Sequence, residues 1–227
     1  MIRKTRKHAH RVKHLTYFKL EQAVARQGCP ICTLVQESVD GFFEAFLYEK
    51  VNDVGLRSRF NRDNGLCNRH VYQLLARHDG LSIAVLYRPL LEQVAHAVRS
   101  GEDAPSQSGR CLVCDGEREA EERYIGELVA FLDDDELRSS FAASSGLCLP
   151  HFEMARKAAS PAAAWFVELH ARQFDELLES VKRYIDAKNW SLGDARPALS
   201  ADEERVWMGV VARYSGYRGM PNRSAAR

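Results

Sequence analysis

Apolar positions along the chain recur at three- and four-residue spacing almost everywhere, and no stretch alternates with the period of two that a half-buried strand needs. Leu15 to Val24 reads as one amphipathic helix. Val35, Val39, Phe42, Phe46 and Leu47 mark a second, and Tyr124, Ile125, Leu128, Val129 and Leu132 a third. Asp53 before Leu56-Arg57-Ser58-Arg59-Phe60 predicts a short capped helix, and Asp133-Asp134-Asp135-Glu136 predicts the same before Leu137-Arg138-Ser139-Ser140-Phe141 by placing carboxylates at its positive end. Val71, Leu74 and Leu75 continue an apolar stripe that starts at Cys67 and His70. Ser160-Pro161 predicts the start of a long helix lined by Trp165, Phe166, Leu169, Leu177, Leu178, Val181 and Ile185. The corresponding helix in the first half carries Pro89, which should kink it or delay its start. Ser200 with Glu203 forms a capping box for a last helix holding Val206, Trp207, Val210 and Tyr214. The reading is therefore all-α.

The pattern is used twice. Leu56–Phe60 recurs as Leu137–Phe141, and Gly65-Leu66-Cys67 as Gly146-Leu147-Cys148, both at an offset of 81. Cys29-Pro30-Ile31-Cys32 recurs as Cys111-Leu112-Val113-Cys114 at an offset of 82. A nearly common offset across three separated blocks predicts a duplication. It divides the chain into a basic flexible arm (1–14), a first helical metal-binding module (15–99), a linker (100–110) and a second module (111–187). A linker, short helix and disordered tail (188–227) follow.

The repeated blocks also carry the candidate chemistry. Each copy supplies a Cys-x-x-Cys pair and a Cys-x-x-His pair, so the 6 cysteines are all accounted for. Three thiols and an imidazole fill a tetrahedral metal site and leave no coordination position open for substrate. The expected ligand sets are Cys29, Cys32, Cys67 and His70 for one ion, and Cys111, Cys114, Cys148 and His151 for the other. In this scheme Gly28 turns the chain out of the first helix into the cysteine knuckle. Gly65-Leu66 and Gly146-Leu147 deliver Cys67 and Cys148 to helix N-termini, which favour thiolate. The segment from Thr33 to Leu66 would have to return to the knuckle it left.

Zinc is the expected ion, two per chain, with an iron–sulfur cluster as the alternative. Six inert buried thiols would not explain the twin histidines. A thioredoxin-like redox motif would need a strand before Cys29, and haem attachment would need histidine where Thr33 and Asp115 stand. Glu153 follows His151, but Tyr72 occupies the equivalent place, so no general base is shared by the two sites. HExxH, phosphate-loop and GxSxG patterns do not occur, and the acidic run lacks the spacing and glycine of a calcium loop. These readings point away from an enzyme.

Composition narrows the partners. Net charge is +1, with 45% hydrophobic and 28% charged residues, the profile of an ordinary globular protein. Residues 1–14 concentrate six cationic side chains without an acid, so nucleic acid is a candidate partner there, although no aromatic residues interleave the charges. No membrane span or signal peptide is evident, which predicts a cytoplasmic protein with reduced thiols. His78, His96 and His170 read as surface or core residues rather than ligands, and Trp165, Trp190 and Trp207 as core or helix-packing groups, with Trp190 a partner-binding candidate if exposed in the 186–200 linker.

The paired CPxC and GLCxxH signatures, at Cys29–Cys32, Gly65–His70, Cys111–Cys114 and Gly146–His151, resemble a bacterial family of uncharacterised proteins. Leu112 departs from the proline of the first copy. The resemblance implies a helical metal-binding protein and assigns no activity. The expected function is a zinc-stabilised, non-enzymatic binding or adaptor protein. The alternatives are an iron–sulfur or thiol redox accessory factor, and a nucleic-acid-binding regulator.

Overall fold

The structure, a computed structural model, describes residues 11–159 and 163–217. Among them there is no strand, and the chain is helical as its periodicity requires. The elements are α1 (Leu15–Val24), α2 (Pro30–Tyr48), α3 (Val54–Arg62), α4 (Asn68–Leu75), α5 (Gly80–Ser100), α6 (Leu112–Ala130), α7 (Asp135–Ala142), α8 (Leu149–Ala158), α9 (Ala164–Lys188) and α10 (Val206–Ser215), with 3-10 turns at Trp190–Ala195 and Glu203–Arg205. No helix among the described residues is long and apolar enough to cross a membrane.

Local signals place most of these ends. Asp53 accepts from the Leu56 amide at 2.8 Å and Asp134 from the Leu137 amide at 3.0 Å, so both short helices start where a carboxylate satisfies a free N–H. Ser200 and Glu203 form the reciprocal capping box, at 3.2 and 2.8 Å. The box opens a 3-10 turn, and α10 follows it at Val206. Pro89 does not delay its helix: α5 starts at Gly80, capped by Asp79, and runs through the proline. Ser160-Pro161 and the tail after Tyr217 lie outside the described residues.

α2 and α6 form the centre, and their relative direction organises everything else. The first turns of α2 share a hydrophobic core with the last turns of α6: Cys29, Ile31, Cys32, Leu34 and Val35 lie with Ala120, Tyr124, Ile125 and Leu128. At the other end Val39, Phe43, Phe46 and Leu47 of α2 share a second core with Cys111, Leu112 and Val113 at the start of α6. The two helices are therefore antiparallel. Around the first core stand α1, α7, α8 and the start of α9; around the second stand α3, α4 and α5. Each core thus draws on both halves of the sequence.

The end of the basic arm is fixed to the second half. Lys13 pairs with Asp134 at 3.1 Å and Glu136 at 2.8 Å, Tyr17 donates to Asp134 at 2.8 Å, and Arg11 donates to the Ala130 carbonyl at 3.1 Å. Residues 1–10 lie outside the described residues. At the opposite terminus α10 packs on α8 and α9. Tyr217 beyond it donates to the Gln27 carbonyl at 3.1 Å, next to the knuckle at Gly28. Gly28 has φ +94°, a conformation that favours glycine, and the Tyr217 hydroxyl fills the space a Cβ would take, so a larger residue would also displace Tyr217.

Candidate metal centres

The eight cysteine and histidine residues gather into two quartets, with partners exchanged relative to the sequence expectation. Cys29 and Cys32 meet Cys148 and His151; Cys67 and His70 meet Cys111 and Cys114. In each quartet the ligand atoms all lie within 4.8 Å of one another. The assignment of one complete ligand set to each sequence half is thereby corrected: every site takes its Cys-x-x-Cys from one half and its Cys-x-x-His from the other.

The path of the chain shows how the exchange arises. α2 has 19 residues and so carries the chain about 28 Å away from Cys32. The next helix, α3, has 9 residues and covers about 13 Å. It folds down through Phe60 into the second core instead of retracing α2, so Cys67 emerges at the far end, where antiparallel α6 begins. The same reasoning carries Cys148 to the start of α2.

All four Cys-x-x-Cys and Cys-x-x-His segments begin at helix N-termini. Cys29, Cys67, Cys111 and Cys148 are the N-cap residues of α2, α4, α6 and α8, each with extended backbone angles. Two helix N-termini therefore point at each quartet, and their partial positive charge favours thiolate.

The geometry matches one tetrahedral ion. Cys32 and Cys148 Sγ are 3.7 Å apart, as are Cys67 and Cys114 Sγ; zinc–sulfur bonds of about 2.3 Å give a tetrahedron edge of about 3.8 Å. The same distances exclude a disulfide, and all six thiols are free. His151 Nδ1 sits 3.3, 3.4 and 3.2 Å from Cys29, Cys32 and Cys148. His70 Nδ1 sits 3.3 Å from each of Cys67, Cys111 and Cys114. A mixed sulfur–nitrogen edge is about 3.5 Å.

The charges of the donor set call for a cation. Hydrogen bonds from Cys114 and His70 pull the Cys111 thiol down to about 3, while Cys114, beside Cys111, is driven up. Burial pushes Cys29 up, but hydrogen bonds from Cys148, Cys32 and His151 outweigh it and hold Cys29 low; Cys32, against Cys148 and Cys29, is driven up. Thiols in contact oppose one another's ionisation, and a divalent ion removes that conflict. The residues present fit such an ion.

Behind each histidine stands a buried carboxylate that the sequence analysis did not single out. His151 Nε2 is 2.9 Å from Glu121 Oε1, and His70 Nε2 is 3.2 Å from Glu117 Oε1. This arrangement fixes which ring nitrogen faces the sulfurs and raises its basicity. Arg69 holds Glu117 through both carboxylate oxygens, one contact at 2.6 Å. Burial pushes the Glu117 carboxyl up, but His70 and Arg69 more than offset it and hold it below the usual carboxylate range. Both carboxylates stand on α6, one turn apart, so a single helix supports both centres. The equivalent positions of α2 are Val35 and Val39. The available signal was two acids on an otherwise apolar helix face.

His170 is a core residue, as expected, with a positioning role. Its Nε2 accepts from the Leu147 amide at 3.0 Å and its Nδ1 faces the Phe166 carbonyl at 2.7 Å, which anchors the loop entering Cys148. Trp165 is half-buried, donating to the Leu132 carbonyl at 3.2 Å, whereas Trp190 is 83% exposed and Trp207 is 56% exposed.

Comparison with known proteins agrees with an uncharacterised bacterial family and adds no activity. Residues 96–189 match the model of a family of unknown function (DUF6062). The chain is similar to an uncharacterised 23.9 kDa protein of the xynA 3′ region in Caldicellulosiruptor sp. (strain Rt8B.4), at 28% identity over 198 residues, covering 83% of this chain and 95% of that protein. No solved structure matches.

Two outcomes follow from the supporting groups. Glu117→Gln is expected to weaken ion binding about 10- to 100-fold at its own quartet and leave the other unchanged, as read by competition with a chromophoric chelator. Burial holds His170 down to about 4, whereas an unfolded histidine titrates near 6.5. The unfolded chain binds more protons between those values, so stability falls as pH drops from about 6.5 towards 4, by up to about 3 kcal/mol from this residue. Denaturant unfolding at stepped pH should therefore show a shallower decline for His170→Gln than for the parent; parallel curves contradict the assignment.

Proposed function

We propose that the chain is a zinc-stabilised, non-enzymatic binding or adaptor protein, with Cys29, Cys32, Cys148 and His151 holding one ion and Cys67, His70, Cys111 and Cys114 the other. The observation that carries this reading is the closure of each quartet. Three sulfurs surround each histidine nitrogen at tetrahedral-edge distances, so protein ligands complete the coordination and no place is left for substrate. Zinc is favoured over an iron–sulfur cluster on the same ground. A cluster spreads its ligands over several metal atoms, whereas the 3.7 Å sulfur pairs suit a single ion. Free thiols throughout fit a reducing compartment, the cytoplasm.

In this reading residues 15–99 and 111–187 are copies of one ancestral unit joined by 100–110. The ions are staples between the copies. A protein is the partner class in this reading, with the exposed Trp190 as its candidate contact; at the end of the basic arm, Arg11 and Lys13 are engaged within the molecule.

Protein purified without added metal is expected to contain two zinc ions per chain, and stripping them should abolish cooperative thermal unfolding of both halves together. After cobalt replacement both sites should give tetrahedral spectra that small anions leave unchanged. Iron in place of zinc, or a cobalt spectrum that shifts with added azide, overturns the proposal.

A further inference from the structure

The two centres share a ligand set but not an environment. Cys29, Cys32, Cys148 and His151 are all buried, and the C-terminal segment closes over them: Tyr217 covers the knuckle at Gly28, while Arg213 donates to the Ser145 carbonyl and sits 3.3 Å from Gln173. At the other centre Cys67 and Cys114 are half-buried. Arg110 stands where the first half has Gly28, and a cleft of about 630 Å³ opens beside it, lined by Arg69, Arg110, Cys111, Cys114, Asp115 and Glu117 among others. The Arg69 guanidinium lies 3.9 Å from Cys114 Sγ at this opening. Solvent and small solutes therefore reach one metal centre and not the other.

We propose that the Cys67–His70–Cys111–Cys114 centre is a site of thiol oxidation by hydroperoxides, with Cys114 as the attacking sulfur and Cys67 as its resolving partner. The inference rests on the zinc reading for the ion it releases and for Cys114 being a thiolate; which of the two centres reacts follows from their exposure alone. Cys114 thiolate attacks the distal oxygen of the hydroperoxide; the O–O bond breaks, and the alkoxide leaves and takes up a proton as an alcohol. The sulfur becomes a sulfenic acid. Cys67 thiolate, whose sulfur lies 3.7 Å from that of Cys114, then attacks it, forms the S–S bond and expels hydroxide, which a second proton converts to water. Two thiolates, one hydroperoxide and two protons thus give one disulfide, one alcohol and one water. The ion loses two of its four ligands and dissociates. Arg69, which also pairs with Glu117, brings a guanidinium nitrogen to 3.9 Å from the Cys114 sulfur and so favours its thiolate. The buried centre keeps its ion, so oxidation loosens one end of the molecule and also links the two sequence copies covalently.

The test uses the full chain, with metal content measured first. Hydrogen peroxide is added in substoichiometric steps, metal release is followed with a chromophoric indicator, and cysteines are mapped by alkylation and mass spectrometry. The expected result is release of one ion per chain alongside a Cys67–Cys114 disulfide, with Cys29, Cys32 and Cys148 oxidised about tenfold more slowly or less. Equal rates at the two centres, oxidation of Cys29, Cys32 or Cys148 first, or a Cys111–Cys114 disulfide overturns the inference. Protein that carries no metal at the start refutes the zinc reading alone, since the cysteine map still decides which centre reacts.

Discussion

The antiparallel packing of α2 on α6 is the constraint on which the rest of the structure depends. Both helices have 19 residues and both begin at a Cys-x-x-Cys pair. Antiparallel packing therefore puts the two pairs at opposite ends of the central helix pair, roughly a helix length apart. Each connection to a Cys-x-x-His segment packs into the core at the far end of its own helix instead of retracing it, so it delivers that segment to the cysteines of the other half. Two centres with ligands from both halves follow directly. So does a fold in which neither half contains a complete site.

The physical role that ions would have at the two quartets follows from that exchange. A structural metal contributes folding free energy because its ligands converge only in the folded chain. Here the converging segments are separated by more than a hundred positions at the buried centre and by about forty at the open one. An ion held at either quartet would close a loop that spans the junction between the two halves, and the apolar contacts along α2 and α6 bring the candidate ligands within reach. The carboxylates Glu117 and Glu121 tie this frame to the chemistry, since α6 both forms the packing surface and orients the two histidines. An acid on a buried helix face is costly unless paired, and these two face the imidazoles of His151 and His70.

Much of this was legible in the chain itself. The eight cysteine and histidine residues, the helical class and the caps at Asp53, Asp134 and Ser200 follow from local spacing and residue chemistry, which a single sequence displays. The pairing of ligands did not follow, because it depends on the direction in which two distant helices pack. A Cys-x-x-Cys pair carries no information about which Cys-x-x-His pair it will meet. Glu117 and Glu121 were visible only as a comparison: valines at 35 and 39 in one copy against acids in the other. Pro89 does not set the start of its helix, because Asp79 caps α5 at Gly80 and the helix continues past the proline. The difference in exposure between the centres depends on where Tyr217 and Arg213 come to rest, and no local pattern encodes that.

Cadmium-113 bound at both centres reports its own ligands, because scalar coupling links each metal nucleus to the β-protons of the cysteines that hold it. A proton–cadmium correlation spectrum of the full chain should show one cadmium coupled to Cys29, Cys32 and Cys148, and the other to Cys67, Cys111 and Cys114. A cadmium coupled to Cys29, Cys32 and Cys67 together would contradict the account.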